Sequence, residues 1–404
     1  MQTKIFTEQK LEEVSIQLPA SKSISNRALI VQALTGQTIE LKNLSQAKDT
    51  LILQDLLSHD SADKNVGMAG TAARFLCAFL STKERTFRVD GEERMRQRPM
   101  QDLLNALEKL GASINYLDQN GFLPVEINGR HTKGGELTID ASVSSQFVSA
   151  LMLIAPKLPG GLTIQLLGEL VSKPYILMTQ SVLAHFGIAV NFSSNSIHIP
   201  EQRFIPTPLT IESDWSSASY FYSALCLLDE GSLLLKNLSF NSWQGDEICA
   251  DIYFRLGIRS TKQGDDVLLE KTGQVTHYLR YDFSDCPDLA QTVICTCLGL
   301  GVAGEFSGLH TLRNKETDRI SAMQNELRKL NWSLEEKEPN RFLLQRKVEK
   351  HPIDLNINTY NDHRMAMAFA PLTICYNQLT IENLDVVNKS FPNFWKEMKK
   401  IGVS

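Results

Sequence analysis

The sequence predicts an α/β protein built from six similar units, grouped as two domains of three. Three observations predict this. Helical patterns end the same way five times, at Gly111, Gly187, Gly257, Asn331 and Gly402. Glycine or asparagine just past a helix is the expected left-handed cap. These stops recur at roughly 70–76 residues, the mark of an internal structural repeat. Between them, strand-like runs alternate with two helical patterns per unit. The length of 404 residues suits two domains of ordinary size.

The elements follow in chain order. Pro19 and the small residues after it read as a turn, and Ser21 or Ser23 can cap the helix that runs through Ala28, Leu29, Ile30, Val31 and Leu34 to Gly36. Leu51 to Asp60 is the second helix of the first unit; it is short, and Ser61 to Asn65 replaces the strands expected there. Leu103 to Leu110 stops at Gly111, with a strand over 112–116. Leu162 to Leu166 is a strand. Ile176 to Phe186 stops at Gly187, with a strand over 188–190. Pro200 to Pro208 is turn-like, a strand over 209–211 follows, and the chain crosses between domains near Glu212-Ser213-Asp214. Leu233 to Leu235 is a strand whose sequence resembles that at Leu379 to Leu384. Ile248 to Leu256 stops at Gly257, before Ile258; Met323 to Leu330 stops at Asn331, before the strand at Trp332; Phe394 to Ile401 stops at Gly402.

Composition narrows the function. Hydrophobic residues make up 43% and charged residues 22% of the chain, as in soluble globular proteins. The formal charge of −5, from 41 Lys+Arg against 46 Asp+Glu, argues against general nucleic-acid binding. No apolar run is long enough to span a bilayer, and Met1 to Phe6 lacks the apolar core of a signal peptide. Seven cysteines without framework spacing read as reduced thiols in a cytoplasmic protein. The histidines form no metal motif, and no GxxxxGK[ST] or GxGxxG nucleotide loop is present.

What stands out is charge at helix starts. A helix N-terminus carries partial positive charge, so a cation in its first turn is unfavourable unless an anion sits there. Lys22 and Arg27 follow the first cap. Gly70-Thr71 leads to Arg74. Arg98 precedes Pro99, which sits at a first helical position. Ser142 to Gln146 opens the apolar helix Phe147 to Ile154. Ser172-Lys173-Pro174 opens another, as do Arg313 to Arg319, Tyr360 to Arg364 and Lys389 to Pro392. Singly, each has a plain reading: turn glycine, cap, solvated ion pair, structural histidine. Together they suggest a positive cleft in an acidic protein, suited to a ligand with several phosphates or carboxylates.

Those motifs carry a resemblance. Leu18 to Ser23 through Asn26-Arg27-Ala28-Leu29, Ala69 to Ala72, Arg94-Met95 with Arg98-Pro99, and Ser142 to Phe147 are similar to the 5-enolpyruvylshikimate-3-phosphate synthase family. So are Leu170 to Tyr175, Asp214 with Ser216 to Tyr220, Lys315 to Arg319, and Tyr360 to Met367. Their order matches, and they cover residues 18–392. The sister family acting on a UDP-sugar differs around the first motif and carries a loop cysteine not found here. The resemblance implies two domains, each of three α/β units about a pseudo-threefold axis (an inside-out α/β barrel), with the active site in the cleft between. Residues 1–20 would join 212–404, and 21–211 would form the inserted domain.

It also implies the reaction: the 5-hydroxyl of shikimate 3-phosphate attacks C2 of phosphoenolpyruvate, and the tetrahedral intermediate loses phosphate. Asp288 would be the proton acceptor near that hydroxyl, Glu316 the acid/base toward the methylene, and Lys22 a contact to both substrates. Ser23, Arg27, Ser144, Ser145, Gln146, Ser172, Tyr175, Thr311 and Lys315 would hold shikimate 3-phosphate, together with Lys22 and Asp288. Gly70, Arg98, Gln146, Arg319, Arg364 and Lys389 would hold phosphoenolpyruvate. No metal or organic cofactor is implied, and a cytoplasmic monomer in the shikimate pathway, open to glyphosate, is expected. The chain departs from the pattern at Met68, where many members have a small polar residue, at Thr311, which replaces an asparagine, and at the shortened segment Ser58 to Asn65, where a strand pair is expected to be missing. A non-catalytic phospho-metabolite sensor on the same fold is the alternative; the same chemistry on a UDP-sugar acceptor is a third reading.

Overall fold

The computed structural model describes residues 13–140, 144–168, 170–347 and 354–403. Ser142 and Val143 of the serine motif lie outside the described residues. The chain divides into two compact units, Met1–Ala20 with Glu212–Ser404, and Ser21–Ile211.

Within Ser21–Ile211, three helices pack against one another: Lys22–Thr35, Gly70–Leu80 and Ser145–Ile154. Their sequences explain their place. Phe147 through Ile154 are all buried, and a helix apolar all round belongs in an interior. The strands instead alternate: Phe87 and Val89 are buried while Arg88 between them is exposed, the pattern of a sheet with one wet face. One four-stranded sheet orders Asp63–Asn65, Thr86–Asp90, Val125–Asn128 and Ser113–Tyr116. Its first pair is parallel and the others antiparallel. A second sheet repeats the plan with Gly135–Asp140, Leu162–Leu167, Ser196–Ile199 and Asn191–Phe192. The third repeat has only a parallel pair, Leu41–Lys42 with Leu209–Thr210, so the unit's last strand returns to its first repeat.

The other unit repeats the plan. Helices Trp215–Leu227 and His363–Phe369 each pack against or continue into elements packed on one another and on Ala290–Leu300. One sheet orders Val14–Gln17, Ser232–Lys236, Asp266–Lys271 and Ile258–Gln263. Another orders Tyr278–Asp282, Ala303–Ser307, Arg341–Arg346 and Trp332–Glu338. The last repeat again has a parallel pair, Asn356–Ile357 with Thr380–Ile381. Among the described residues, each unit thus carries two full repeats and one trimmed one.

The five periodic stops all adopt left-handed backbone, with φ of 99° at Gly111, 77° at Gly187, 94° at Gly257, 62° at Asn331 and 84° at Gly402. The first repeat, which lacks the strand pair, also closes its second helix differently. Helix Lys48–Ser58 ends without a glycine; Lys64 Nζ donates to Leu56 O and His59 O, both at 2.6 Å, closing the helix end from the next strand.

Two expectations are corrected. No strand forms over 188–190. The Ile188 N–H bonds back to Leu183 O at 2.9 Å, finishing the helix, and Ala189 N–H donates to Gln202 Oε1 at 2.9 Å; the strand is only Asn191–Phe192. Pro99 is not at a first helical position either. That helix is Gln101–Lys109 with Met100 as its cap, and the Pro99 carbonyl accepts from Arg74 Nη2 at 3.3 Å.

Candidate active site

In the unit Ser21–Ile211, the Ser21 side chain accepts from Ile24 N–H and caps the first helix. Lys22 begins that helix, and its Nζ lies 3.1 Å from Asp49 Oδ2. Asp49 itself stands in the favourable first turn of helix Lys48–Ser58 and is buried. Ser23 is half-buried, and its carbonyl accepts from Arg27 Nη1 at 2.8 Å. Arg27 is only 2% exposed. Its remaining bonds go to neutral oxygens: Nε to Thr179 Oγ1 at 2.7 Å, and Nη2 to Ser149 Oγ and Tyr175 O, both at 3.1 Å. Burial lowers its pKa to about 10, which leaves it charged at neutral pH.

Arg98 is different. It is 6% exposed, and its Nε and Nη1 have no hydrogen-bond partner. A buried cation with unfilled donors is costly, and an anion would fill them. Gly70 lies against it: a Cβ there would fall 2.4 Å from Arg98 Nη1 and 2.7 Å from Arg74 Nη1. Arg74 donates to Gly70 O at 2.9 Å and crosses the Phe147 ring at 5.5 Å. Two guanidinium groups therefore converge on the start of helix Gly70–Leu80. Gln146 Nε2 donates to Thr71 Oγ1 in the same turn at 3.4 Å, and Ser144 caps the Gln146 N–H at 3.3 Å. Ser145 and Ser172 are each 7% exposed. Ser172 has φ of 54° just before helix Lys173–His185, and Tyr175 N–H closes back on its carbonyl at 3.1 Å.

The other unit holds a connected charge network. Arg319, 2% exposed, reaches three carboxylates: Nε to Asp362 Oδ2 at 2.7 Å, Nη2 to Glu316 Oε2 at 2.8 Å, and Nη1 to Asp288 Oδ1 at 3.3 Å. Arg364 Nη2 meets Asp288 Oδ2 at 2.7 Å. Its Nη1 donates to Asp288 O and to Tyr220 OH, at 3.1 and 3.2 Å. Lys389 Nζ meets Glu316 Oε1 at 2.9 Å, and Lys315 Nζ lies 4.0 Å from Asp288 Oδ1. Burial pushes the Asp288 carboxyl up, but Arg364, Lys315 and Arg319 outweigh it and hold it well below the usual carboxylate range. The Arg319 pKa is raised: burial opposes its charge, and Asp362, Glu316 and Asp288 more than offset that. Burial, reinforced by Asp288, raises Asp246 to about 7; it accepts from Ser216 Oγ.

Comparison with known proteins agrees. The family model for EPSP synthase (3-phosphoshikimate 1-carboxyvinyltransferase) matches residues 54–398. A 3-phosphoshikimate 1-carboxyvinyltransferase of Bacteroides fragilis (strain YCH46) is 43% identical over 394 residues, covering 96% of this chain and 95% of the relative. One from Vibrio cholerae is 35% identical over 427 residues, 98% of this chain and 99% of the relative.

The chain belongs to the EPSP synthase family.

The fold agrees as well. A solved EPSP synthase from Acinetobacter baumannii superposes with a TM-score of 0.77 at 19% identity, covering 100% of this chain and 98% of that one. The two-unit, inside-out α/β architecture is that of this family.

The structure joins Asp288, Lys315, Glu316, Arg319, Arg364 and Lys389 into one network, and brings Gly70 to Arg98 and Gln146 to Ser144. Thr311, in the turn just before Lys315, has its Oγ1 buried without a partner. Arg27 is already satisfied by protein oxygens. Sequence reasoning missed Asp49 and Asp246, and quoted Arg74, Tyr220 and Asp362 within motifs without giving them a role. An acidic residue in a first helical turn, like Asp49, is ordinary dipole chemistry and carried no signal. Asp362 did have one, as the cap that accepts from Arg364 N–H at 2.8 Å. Among the described residues, no His, Cys, Asp and Glu group could hold a metal ion, and no helix is long and apolar enough to cross a membrane.

Proposed function

We propose that the chain performs the reaction its family is named for, transfer of the enolpyruvyl group of phosphoenolpyruvate to the 5-hydroxyl of shikimate 3-phosphate, with release of phosphate. The observation that carries this is the network of Arg319, Arg364 and Lys389 around Asp288 and Glu316. It gathers cations for one carboxylate-bearing substrate on the two groups suited to proton transfer.

Arg319, Arg364 and Lys389 hold the phosphoenolpyruvate carboxylate side, and Arg98, with Gly70 beside it and Gln146 nearby, holds its phosphate. Arg98 brings unfilled donors to that task. Ser23, Arg27, Ser144, Ser145, Ser172, Tyr175, Thr311 and Lys315 hold shikimate 3-phosphate. Without substrate, the cations of the network are neutralised by Asp288, Glu316 and Asp362. A substrate carboxylate competes for Arg364, Arg319 and Lys389. Asp288 and Glu316 then lose partners that favour their ionised forms, and both become better bases. Asp288 takes the proton of the 5-hydroxyl as its oxygen bonds to C2. Glu316, freed from those cations, takes a proton from solvent and delivers it to the methylene carbon. Lys22 stabilises the departing phosphate; Glu316 takes a proton back from the new methyl group, restoring the double bond as the C–O bond to phosphate breaks, and the proton held on Asp288 leaves with the phosphate.

Phosphoenolpyruvate and shikimate 3-phosphate are thus the partners, and the working state is a cytoplasmic monomer within the shikimate pathway. The cysteines suit a reducing setting: all seven are free, and burial raises Cys77 to about 12, far from reactive thiolate. The deciding experiment measures phosphate release from purified protein given phosphoenolpyruvate with and without shikimate 3-phosphate. Release that needs both substrates is expected. Binding of shikimate 3-phosphate with no release would overturn the reading in favour of a sensor.

A further inference from the structure

We propose that Glu326 and Tyr360 are positioning residues: they lock the turn that carries Asp362 and Arg364, and through it set the affinity for phosphoenolpyruvate. The link to that substrate rests on the function proposed above; the lock itself does not.

The turn spans Thr359 to Asp362, closed by Asp362 N–H to Thr359 O at 2.8 Å. Its two central residues, Tyr360 and Asn361, both have positive φ, 53° and 56°. Asparagine tolerates that conformation. A bulky tyrosine is disfavoured there, because its Cβ crowds the backbone. Strain of this kind persists only where surrounding contacts over-determine it. The contacts are present. The Glu326 carboxylate is fully buried. It accepts from Tyr360 OH at 2.7 Å and from Asn358 N–H at 3.1 Å, one oxygen for each. Lys329 Nζ balances its charge at 2.7 Å. On the far side, Asn383 Nδ2 donates to Asn361 Oδ1 at 2.9 Å.

Glu326 stands on helix Arg319–Lys329, seven residues beyond Arg319. Seven residues are nearly two turns, so both side chains leave one face. Arg319 grips the turn's end at Asp362 and Glu326 grips its start at Asn358 and Tyr360. The same helix therefore holds both ends of the turn. Beyond the turn, Asp362 caps helix His363–Phe369 through Arg364 N–H, and Arg364 reaches Asp288. Two contacts hold the tyrosine in this strained position: its ring packs against the core, and its hydroxyl bonds Glu326.

The test compares Tyr360→Phe, Tyr360→Asn and Glu326→Gln with the unaltered protein. Tyr360→Phe removes only the hydroxyl and leaves a buried carboxylate oxygen without its donor. Tyr360→Asn relieves the left-handed strain but also loses the contact. Two readouts are taken. In each variant the amides of Asp362, Arg364 and Met365 should exchange at least about tenfold faster. The KM for phosphoenolpyruvate should rise about tenfold, with the KM for shikimate 3-phosphate held within about twofold, as expected when one buried hydrogen bond is lost from a positioning contact. Unchanged exchange at those amides overturns the lock, whatever the activity. A lower melting temperature with both KM values unchanged overturns the functional role, leaving Glu326 merely structural. If Glu326→Gln does not fold, the two Tyr360 variants carry the test. Failure of the unaltered protein to release phosphate would sink the proposed function instead, and the exchange data would still decide the lock.

Discussion

The two units meet the problem of buried positive charge in opposite ways. In Ser21–Ile211, Arg27 is held by neutral oxygens, two hydroxyls and two carbonyls, and Arg98 keeps two donors unfilled. In the other unit, Arg319 and Arg364 are matched by carboxylates at 2.7 Å. Neutral oxygens orient a cation without cancelling its charge, so the field remains for a ligand. Carboxylates cancel it until a better anion arrives, and the displaced carboxylates are then available for proton transfer. The first arrangement suits fixed binding; the second suits chemistry.

The sharpest way to break that contrast is stability. Arg319→Met leaves three carboxylates without their shared cation, and should cost about 3–5 kcal/mol. Arg27→Met leaves only neutral groups, two of which already bond each other (Thr179 Oγ1 to Ser149 Oγ, 2.9 Å), and should cost about 1–3 kcal/mol. Urea unfolding of both variants measures the difference; equal losses would erase the distinction. Next is catalysis. Glu316→Gln should keep shikimate 3-phosphate binding and lower turnover at least about a hundredfold, the low end for one acid/base group. Steady-state kinetics at saturating substrates tests this, and near-normal turnover would remove Glu316 from the mechanism.

Carboxylates in one unit also diverge with pH. Cations hold the Asp288 pKa low in the fold, so its stabilisation is present above the ordinary carboxylate range and is lost only as pH falls below about 4. Asp246 runs the other way. Burial raises it to about 7, so the folded state binds the proton more tightly than the unfolded chain. Its contribution favours folding at low pH and declines as pH rises from about 4 to 7. Asp246→Asn should therefore stabilise the protein at pH 8, by about 2 kcal/mol once the weakened Ser216 bond is allowed for, and do little at pH 4. Denaturation midpoints at the two pH values decide it; an equal effect at both would deny the raised pKa.

Much of this was legible in the chain. The spacing of Gly111, Gly187, Gly257, Asn331 and Gly402 revealed the repeat, because each position needs a left-handed residue and few types supply one. The cations at helix starts were legible as misplaced charge. What stayed hidden was pairing at a distance. Asp49 meets Lys22 from another helix, and Glu326 reaches Tyr360 across 34 positions. Neither contact has a local pattern, since tertiary packing alone brings the partners together. Residues 188–190 read as strand by their apolar letters, yet a helix-ending hydrogen bond from Ile188 claimed the backbone first.

The mildest test addresses Arg98, the cation with unfilled donors. Gly70 is the residue that lets it lie where it does, since a methyl group there would sit 2.4 Å from Nη1. Arg98 has only 6% exposure and cannot simply swing into solvent, so Gly70→Ala must shift the guanidinium by a fraction of its length rather than release it. Such a shift should raise the KM for phosphoenolpyruvate about tenfold, roughly 1.4 kcal/mol, while leaving turnover and the KM for shikimate 3-phosphate much less changed. Glyphosate, expected to compete with phosphoenolpyruvate, should weaken in parallel or more, because any added bulk at Gly70 intrudes on the same space. If Gly70→Ala left phosphoenolpyruvate and glyphosate affinity untouched, Arg98 would not be the phosphate-holding cation. Its unfilled donors would then need another anion, and the contrast between the two units would lose its clearest member.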